Sequence, residues 1–210
     1  MRSDAATGGS VSAPVEFYFD FSSPYGYLAA ARIAPLAARH ARSILWRPFL
    51  LGAVFKVTGS GPLPSLPLKG PYSKRDMVRS ARFLDIPFNF PDPFPISTQA
   101  PARAIYWLEQ QAPERIERAV LALYCAYFVD GRDISSPETT ASVLASLGHD
   151  PAAVLGAVGE PALKERLRSE TQTAIDRGVF GSPYIFVDGE PFWGHDRLDQ
   201  VERWLESGGF

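Results

Sequence analysis

Val15-Glu16-Phe17-Tyr18-Phe19-Asp20-Phe21-Ser22-Ser23-Pro24-Tyr25-Gly26-Tyr27-Leu28 is the stretch where a strand-like run gives way to a helix start. Val15, Phe17, Phe19 and Phe21 recur with period two and are β-branched or aromatic, which predicts a core strand. Ser23 then suits an N-cap, and Pro24 suits the first helical position, where its missing N–H is no loss. A helix start carries unpaired N–H groups and about half a positive charge, so it can hold an anion. Ser-Pro at such a junction is also ordinary capping, which by itself needs no ligand.

Outward from this junction, Pro24 to His40 is apolar at Tyr27, Leu28, Ala31, Ile33 and Leu36, roughly one helical face, with Pro35 expected to end or kink the helix. Ile44 to Phe49 reads as a second strand, and strand, helix, strand implies a right-handed crossover with parallel pairing. Gly59 to Pro71 has too many prolines for regular structure and reads as a stiff loop. Tyr72 to Leu84 is helical with a basic face of Lys74, Arg75, Arg79 and Arg82, and Pro87 to Pro95 is a connector. Helices are predicted near Thr98–Gln111, Pro113–Phe128, Pro137–Leu147, Pro151–Val158 and Glu160–Gly178, several with a proline in the first turn. From Pro183 strand texture returns: Tyr184 to Val187, an Asp188-Gly189 hairpin signal, Pro191 to Trp193, then a last helix from Asp196 to Leu205.

This order predicts an α/β chain of thioredoxin type with a large all-helical insertion between a βαβ half and a ββα half. Residues 1–14 read as a disordered leader, 15–50 with 179–208 as the thioredoxin-like domain, and 51–178 as the helical insertion domain. At 210 residues and 46% hydrophobic content the chain can bury a sizeable core. Lys and Arg number 21 against 23 Asp and Glu, and no basic run marks a nucleic-acid surface. No apolar run approaches the ~18 residues of a membrane-spanning helix, and no signal peptide opens the chain, so a cytoplasmic protein is expected. The single cysteine, Cys125, cannot form an intrachain disulfide, and the three histidines show no metal-ligand spacing, so no metal is expected.

In redox proteins of this architecture a Cys-x-x-Cys pair opens the first helix. Ser23-Pro24-Tyr25-Gly26 stands there instead, which excludes ordinary dithiol chemistry. The same anion-favouring place can receive a thiolate carried by a bound thiol, glutathione being the obvious candidate, with the Ser23 hydroxyl donating to the sulfur. Ser182-Pro183 supports this, because a cis proline opening the third strand faces the first helix and presents backbone to an extended peptide; the sequence favours cis for Pro183.

Phe17-Tyr-Phe-Asp-Phe-Ser-Ser-Pro-Tyr, Arg47-Pro-Phe-Leu-Leu-Gly-Ala-Val-Phe-Lys, Lys69-Gly70 and Gly178 to Trp204 together resemble the 2-hydroxychromene-2-carboxylate isomerase family, which is related to kappa-class glutathione transferases within the thioredoxin-like superfamily. The resemblance spans Val15 to Leu205. It implies that Ser23 faces the glutathione sulfur as the catalytic residue. It implies further that Ser182 before Pro183 pairs with the cysteinyl unit, Lys69 meets the glycyl carboxylate, and Asp196 meets the γ-glutamyl amino group. His195 falls where relatives commonly carry serine or asparagine, and Ser60 where they often carry asparagine; both count among the implied glutathione contacts. Among Tyr25, Phe55, Tyr72, Trp107 and Trp193, core is the default reading, and Tyr25 and Tyr72 are the best candidates for an aromatic substrate pocket. Arg197 reads as structural. The implied activity is glutathione-dependent isomerisation of a small aromatic substrate by a homodimer, without nucleic acid or membrane. A kappa-type transferase or peroxidase on other electrophiles and a non-catalytic peptide-binding module are the alternatives.

Overall fold

A computed structural model describes residues 13–210, so most of the expected leader lies outside the described residues. Strand β1 (Val15–Phe19) leads into helix α1 (Pro24–Arg39) and then strand β2 (Ile44–Pro48), which lies parallel to β1 with Phe19 opposite Pro48. Near the C-terminus β3 (Tyr184–Val187) runs antiparallel to β1, and β4 (Glu190–Trp193) antiparallel to β3, giving the order β2-β1-β3-β4. The β3–β4 turn is Asp188-Gly189, both at positive φ, as a two-residue hairpin turn requires. Arg42, in the connection between α1 and β2, holds Asp188 at 2.6 Å. The thioredoxin-like arrangement predicted from element order is the one observed.

Between β2 and β3 come α2 (Leu51–Thr58), α3 (Lys69–Phe83), α4 (Gln99–Gln111), α5 (Ile116–Phe128), α6 (Pro137–Ala145), α7 (Pro151–Gly159) and α8 (Pro161–Asp176); α9 (Leu198–Ser207) closes the chain. Ser136 and Asp150 cap α6 and α7 through side-chain oxygens, as expected. Three expectations are corrected. Helix α1 runs through Pro35, which sits on its exposed face. Lys69 opens α3 instead of lying in a loop. His195–Arg197 form a 3-10 turn, and the last helix starts only at Leu198. No described helix is long and apolar enough to cross a membrane.

Alternation along β1 sends side chains to two cores. Val15, Phe17 and Phe19, continued by Phe21, join α1 and α4–α7 in one cluster, with Phe17 and Phe19 edge-on to Trp46 at 5.3 and 5.9 Å. Tyr18 faces the other way, onto Phe49, Val54, Ala174 and Phe186. The sheet is thus covered on both faces, and the βαβ half shares its main core with the inserted helices. Arg177 caps the second core, over the Phe186 ring at 4.2 Å and paired with Glu16 at 2.6 Å. At the β2 edge, Phe49 N–H donates to Phe19 O, and Tyr106 Oη donates to the Pro48 carbonyl at 2.6 Å.

Candidate functional site

The end of β1, the start of α1 and the start of β3 meet at Ser23. Its extended backbone ends the strand segment, and its Oγ accepts the Gly26 N–H at 3.0 Å, which caps α1. The same hydroxyl donates to the Ser182 carbonyl at 2.8 Å, and the Ser182-Pro183 peptide is cis. Ser182 Oγ accepts the Asp20 N–H at 3.0 Å, while Tyr124 Oη donates to Asp20 O at 3.0 Å. Gly26 is required at this crossing: a Cβ there would stand 2.7 Å from Tyr124 Oη and 2.9 Å from Ser182 Oγ. Gly26→Ala is therefore expected to destabilise the chain by about 1–3 kcal/mol, read as a drop in thermal midpoint of roughly 2–4 °C per kcal/mol.

Two backbone donors at this crossing, Tyr25 N–H in the first turn of α1 and Ser182 N–H, have no acceptor among the described residues. No acidic side chain lies in the first turn of α1 to offset its positive end. This donor set fits a thiolate: the Ser23 hydroxyl can turn from a carbonyl to a sulfur, and the helix end favours negative charge.

Beneath the site Asp20 is buried. Its carboxylate accepts the N–H groups of Ser22 and Leu51, both at 2.8 Å, and the Thr98 hydroxyl. Burial pushes its pKa up, and those hydrogen bonds act against the rise. On the open side Tyr25 Oη donates to Asp76 Oδ2 on α3 at 2.6 Å, and the Tyr25 ring stacks on His195 at 5.0 Å and 8°. Burial pushes the His195 imidazole down, Asp196 and Asp76 push it up, and Arg32 pushes it down, with a net fall. Its Nδ1 is buried without a hydrogen-bond partner among the described residues.

The family model of the DSBA-like thioredoxin domain matches residues 14–206. The chain belongs to this family. Within it, a 2-hydroxychromene-2-carboxylate isomerase of Sphingobium xenophagum is 34% identical over 194 residues, covering 91% of this chain and 97% of the relative. That identity and coverage place the chain in the 2-hydroxychromene-2-carboxylate isomerase family. A solved 2-hydroxychromene-2-carboxylate isomerase superposes with a TM-score of 0.82 at 31% identity, covering 91% of this chain and 94% of that one. A glutathione S-transferase kappa 2 of Caenorhabditis elegans is 28% identical, covering 91% of each chain.

Of the candidate residues, Ser23, Ser182 and Pro183 are in direct contact, and Tyr25 and His195 form one stack beside them. Asp196 follows His195 with an exposed carboxylate that folds over the Gly194 Cα and pairs with Arg197 at 3.1 Å. Tyr72 lies exposed on α3 and accepts a hydrogen bond from Arg79 at 3.2 Å. Lys69 is the exposed first residue of α3, and Ser60 follows the left-handed Gly59 that ends α2; neither side chain bonds to the Ser23 group. Asp20, Asp76 and Tyr124 were not among the candidates. Asp76 had a signal, an acid three residues before Arg79 on a helix face otherwise basic. The fold also brings His40, on the C-cap of α1, toward Glu202 and Glu206 of α9, but Arg39 already holds Glu202 at 2.6 Å.

Proposed function

We propose that this protein is a glutathione-dependent isomerase that converts 2-hydroxychromene-2-carboxylate to trans-o-hydroxybenzylidenepyruvate. The observation that carries the reading is Ser23 Oγ at the capped start of α1, facing the cis Ser182-Pro183 peptide with free N–H donors on both sides. The 34% identical isomerase, matched over nearly its whole length, supports the substrate. When bound, glutathione supplies a thiolate that adds reversibly to a conjugated alkene, so that a bond locked by its π component becomes one that can turn.

The chain's own residues serve that chemistry by holding charge and geometry. Ser23 Oγ donates to the sulfur and keeps it anionic near neutral pH, against a free cysteine reference of about 8.5. Tyr25 N–H and the positive end of α1 add to the same effect. Ser182 N–H and C=O pair with the backbone of the cysteinyl unit, leaving the tripeptide extended along the start of β3. Lys69 offers a cation to the glycyl carboxylate and Asp196 an anion to the γ-glutamyl amino group; His195 and Ser60 complete the contacts. A cytoplasmic setting and a homodimer are part of the proposal.

Titration calorimetry with glutathione, followed by side-by-side assays on the chromene and a generic aryl halide, tests this reading. Saturable binding with faster turnover of the chromene is the expected result. Turnover of the aryl halide alone would favour a kappa-type transferase, which the 28% identical kappa relative supports as the second reading. No glutathione binding at millimolar concentration would leave the cis-proline cleft as a peptide-binding module.

A further inference from the structure

One wall of the site carries a hydrogen-bond chain that the thiol chemistry does not use. Tyr25 Oη donates to Asp76, Asp76 is held by Arg79, and Arg79 donates to Tyr72 Oη at 3.2 Å while lying 5.6 Å from the centre of that ring. A phenol has one proton to give and lone pairs with which to accept. Tyr25 has given its proton to a carboxylate, so its half-buried oxygen offers the cleft an acceptor. Tyr72 is the reverse case: its oxygen already accepts from Arg79, which leaves its proton free to donate. The two phenols are joined through one carboxylate and one guanidinium, so an acceptor and a donor lie at the two ends of one hydrogen-bonded chain that carries a positive charge.

We propose that Tyr25, Tyr72 and Arg79 form a recognition subsite for a substrate with a hydroxyl and a carboxylate on one carbon, and that Asp76 is its positioning residue. The substrate hydroxyl donates to Tyr25 Oη, and its carboxylate accepts from Tyr72 Oη beside Arg79. The stack on His195 fixes the Tyr25 ring from the other face, so the acceptor is held before the ligand arrives. Partial burial pushes the Asp76 carboxyl up, but the bonds from Tyr25 and Arg79 outweigh this and hold it below the usual range. Burial and the Asp76 bond push the Tyr25 phenol up. Both groups therefore keep these protonation states around neutrality. The inference rests on the thiol-dependent reading for its substrate, but the subsite can be tested without any thiol.

The test is titration calorimetry on the full chain with mandelate, an aromatic 2-hydroxy acid, and with phenylacetate, which lacks the hydroxyl. The wild-type protein is expected to bind mandelate about tenfold more tightly than phenylacetate, the scale of one well-placed hydrogen bond. Asp76→Ala and Tyr25→Phe should each abolish that preference, and the double variant should lose no more than either single one. In the enzyme assay Asp76→Ala should raise KM for the chromene about tenfold with little change in kcat, which a merely structural role would not produce. Equal binding of the two acids by the wild type, or a preference that survives Asp76→Ala, overturns the subsite. Mandelate preference without any glutathione-dependent turnover keeps the subsite and rejects the isomerase reading. Circular dichroism of each variant checks that α3 is intact.

Discussion

Ser23→Ala is expected to lower glutathione-dependent turnover by roughly 100-fold, the scale of removing one preorganised donor from a developing or resident anion. Among the described residues, Ser23 Oγ both caps the α1 N-terminus and touches the cis-proline wall. On the proposed reading the bound thiol of the variant would revert toward the free cysteine range of about 8.5, so the loss should be deepest at low pH and partly recovered as pH rises. A pH profile of kcat/KM for wild type and variant separates this from a folding defect. Loss of the cap to Gly26 N–H costs only about 1 kcal/mol of stability, and that effect has no such pH signature. Full turnover by Ser23→Ala would sink the assignment.

The second large effect falls on stability. Asp20→Ala leaves the Ser22 and Leu51 N–H groups without their acceptor and is expected to cost about 2–4 kcal/mol, measured by urea unfolding. Asp20→Asn keeps the size but changes the pH dependence. Burial raises the folded-state pKa of Asp20 above its unfolded value. A carboxyl with that shift favours the folded state at low pH and loses the advantage as pH rises through the folded pKa. Asparagine does not titrate. The stability of wild type minus that of Asp20→Asn should therefore be largest below the free carboxyl range of about 4 and shrink as pH rises above it. A difference that grows over that range would mean that the hydrogen bonds, not burial, control this carboxyl.

Local signals carried most of the fold. The period-two run before Ser23, the Ser136 and Asp150 caps with their following prolines, and the Asp188-Gly189 turn all act within a few residues, and each of these elements stands near its expected place. Helix α2 went unpredicted for the opposite reason. Leu50 provides no side-chain cap; the Leu50 and Leu51 N–H groups bond instead to Thr171 Oγ1 and Asp20 Oδ2, residues distant in sequence. The start of α3 was missed likewise, because a proline-rich approach hides a helix that begins at Lys69 behind Leu68 at positive φ. At the site, Ser23 and Ser182-Pro183 were legible because capping and proline placement are written in dipeptides. For Asp76 only the spacing to Arg79 was local; its bond to Tyr25 comes from a phenol fifty-one residues away.

The two outer strands of the sheet have a consequence for how an extended ligand can be held. Val187 and Glu190 close the hairpin, so the next pair, Phe186 and Pro191, turns its backbone polar groups away from each other, and Pro191 faces outward from β4 with no N–H to offer. On β2 the bond from Phe49 N–H to Phe19 O leaves Pro48 facing outward too, and Tyr106 occupies its carbonyl. A proline thus interrupts the outward-facing row of backbone donors on each rim, which weakens it as a template for strand addition by another chain. For the tripeptide proposed above, the inner ledge at Ser182 would then offer backbone partners that the two rims offer less readily.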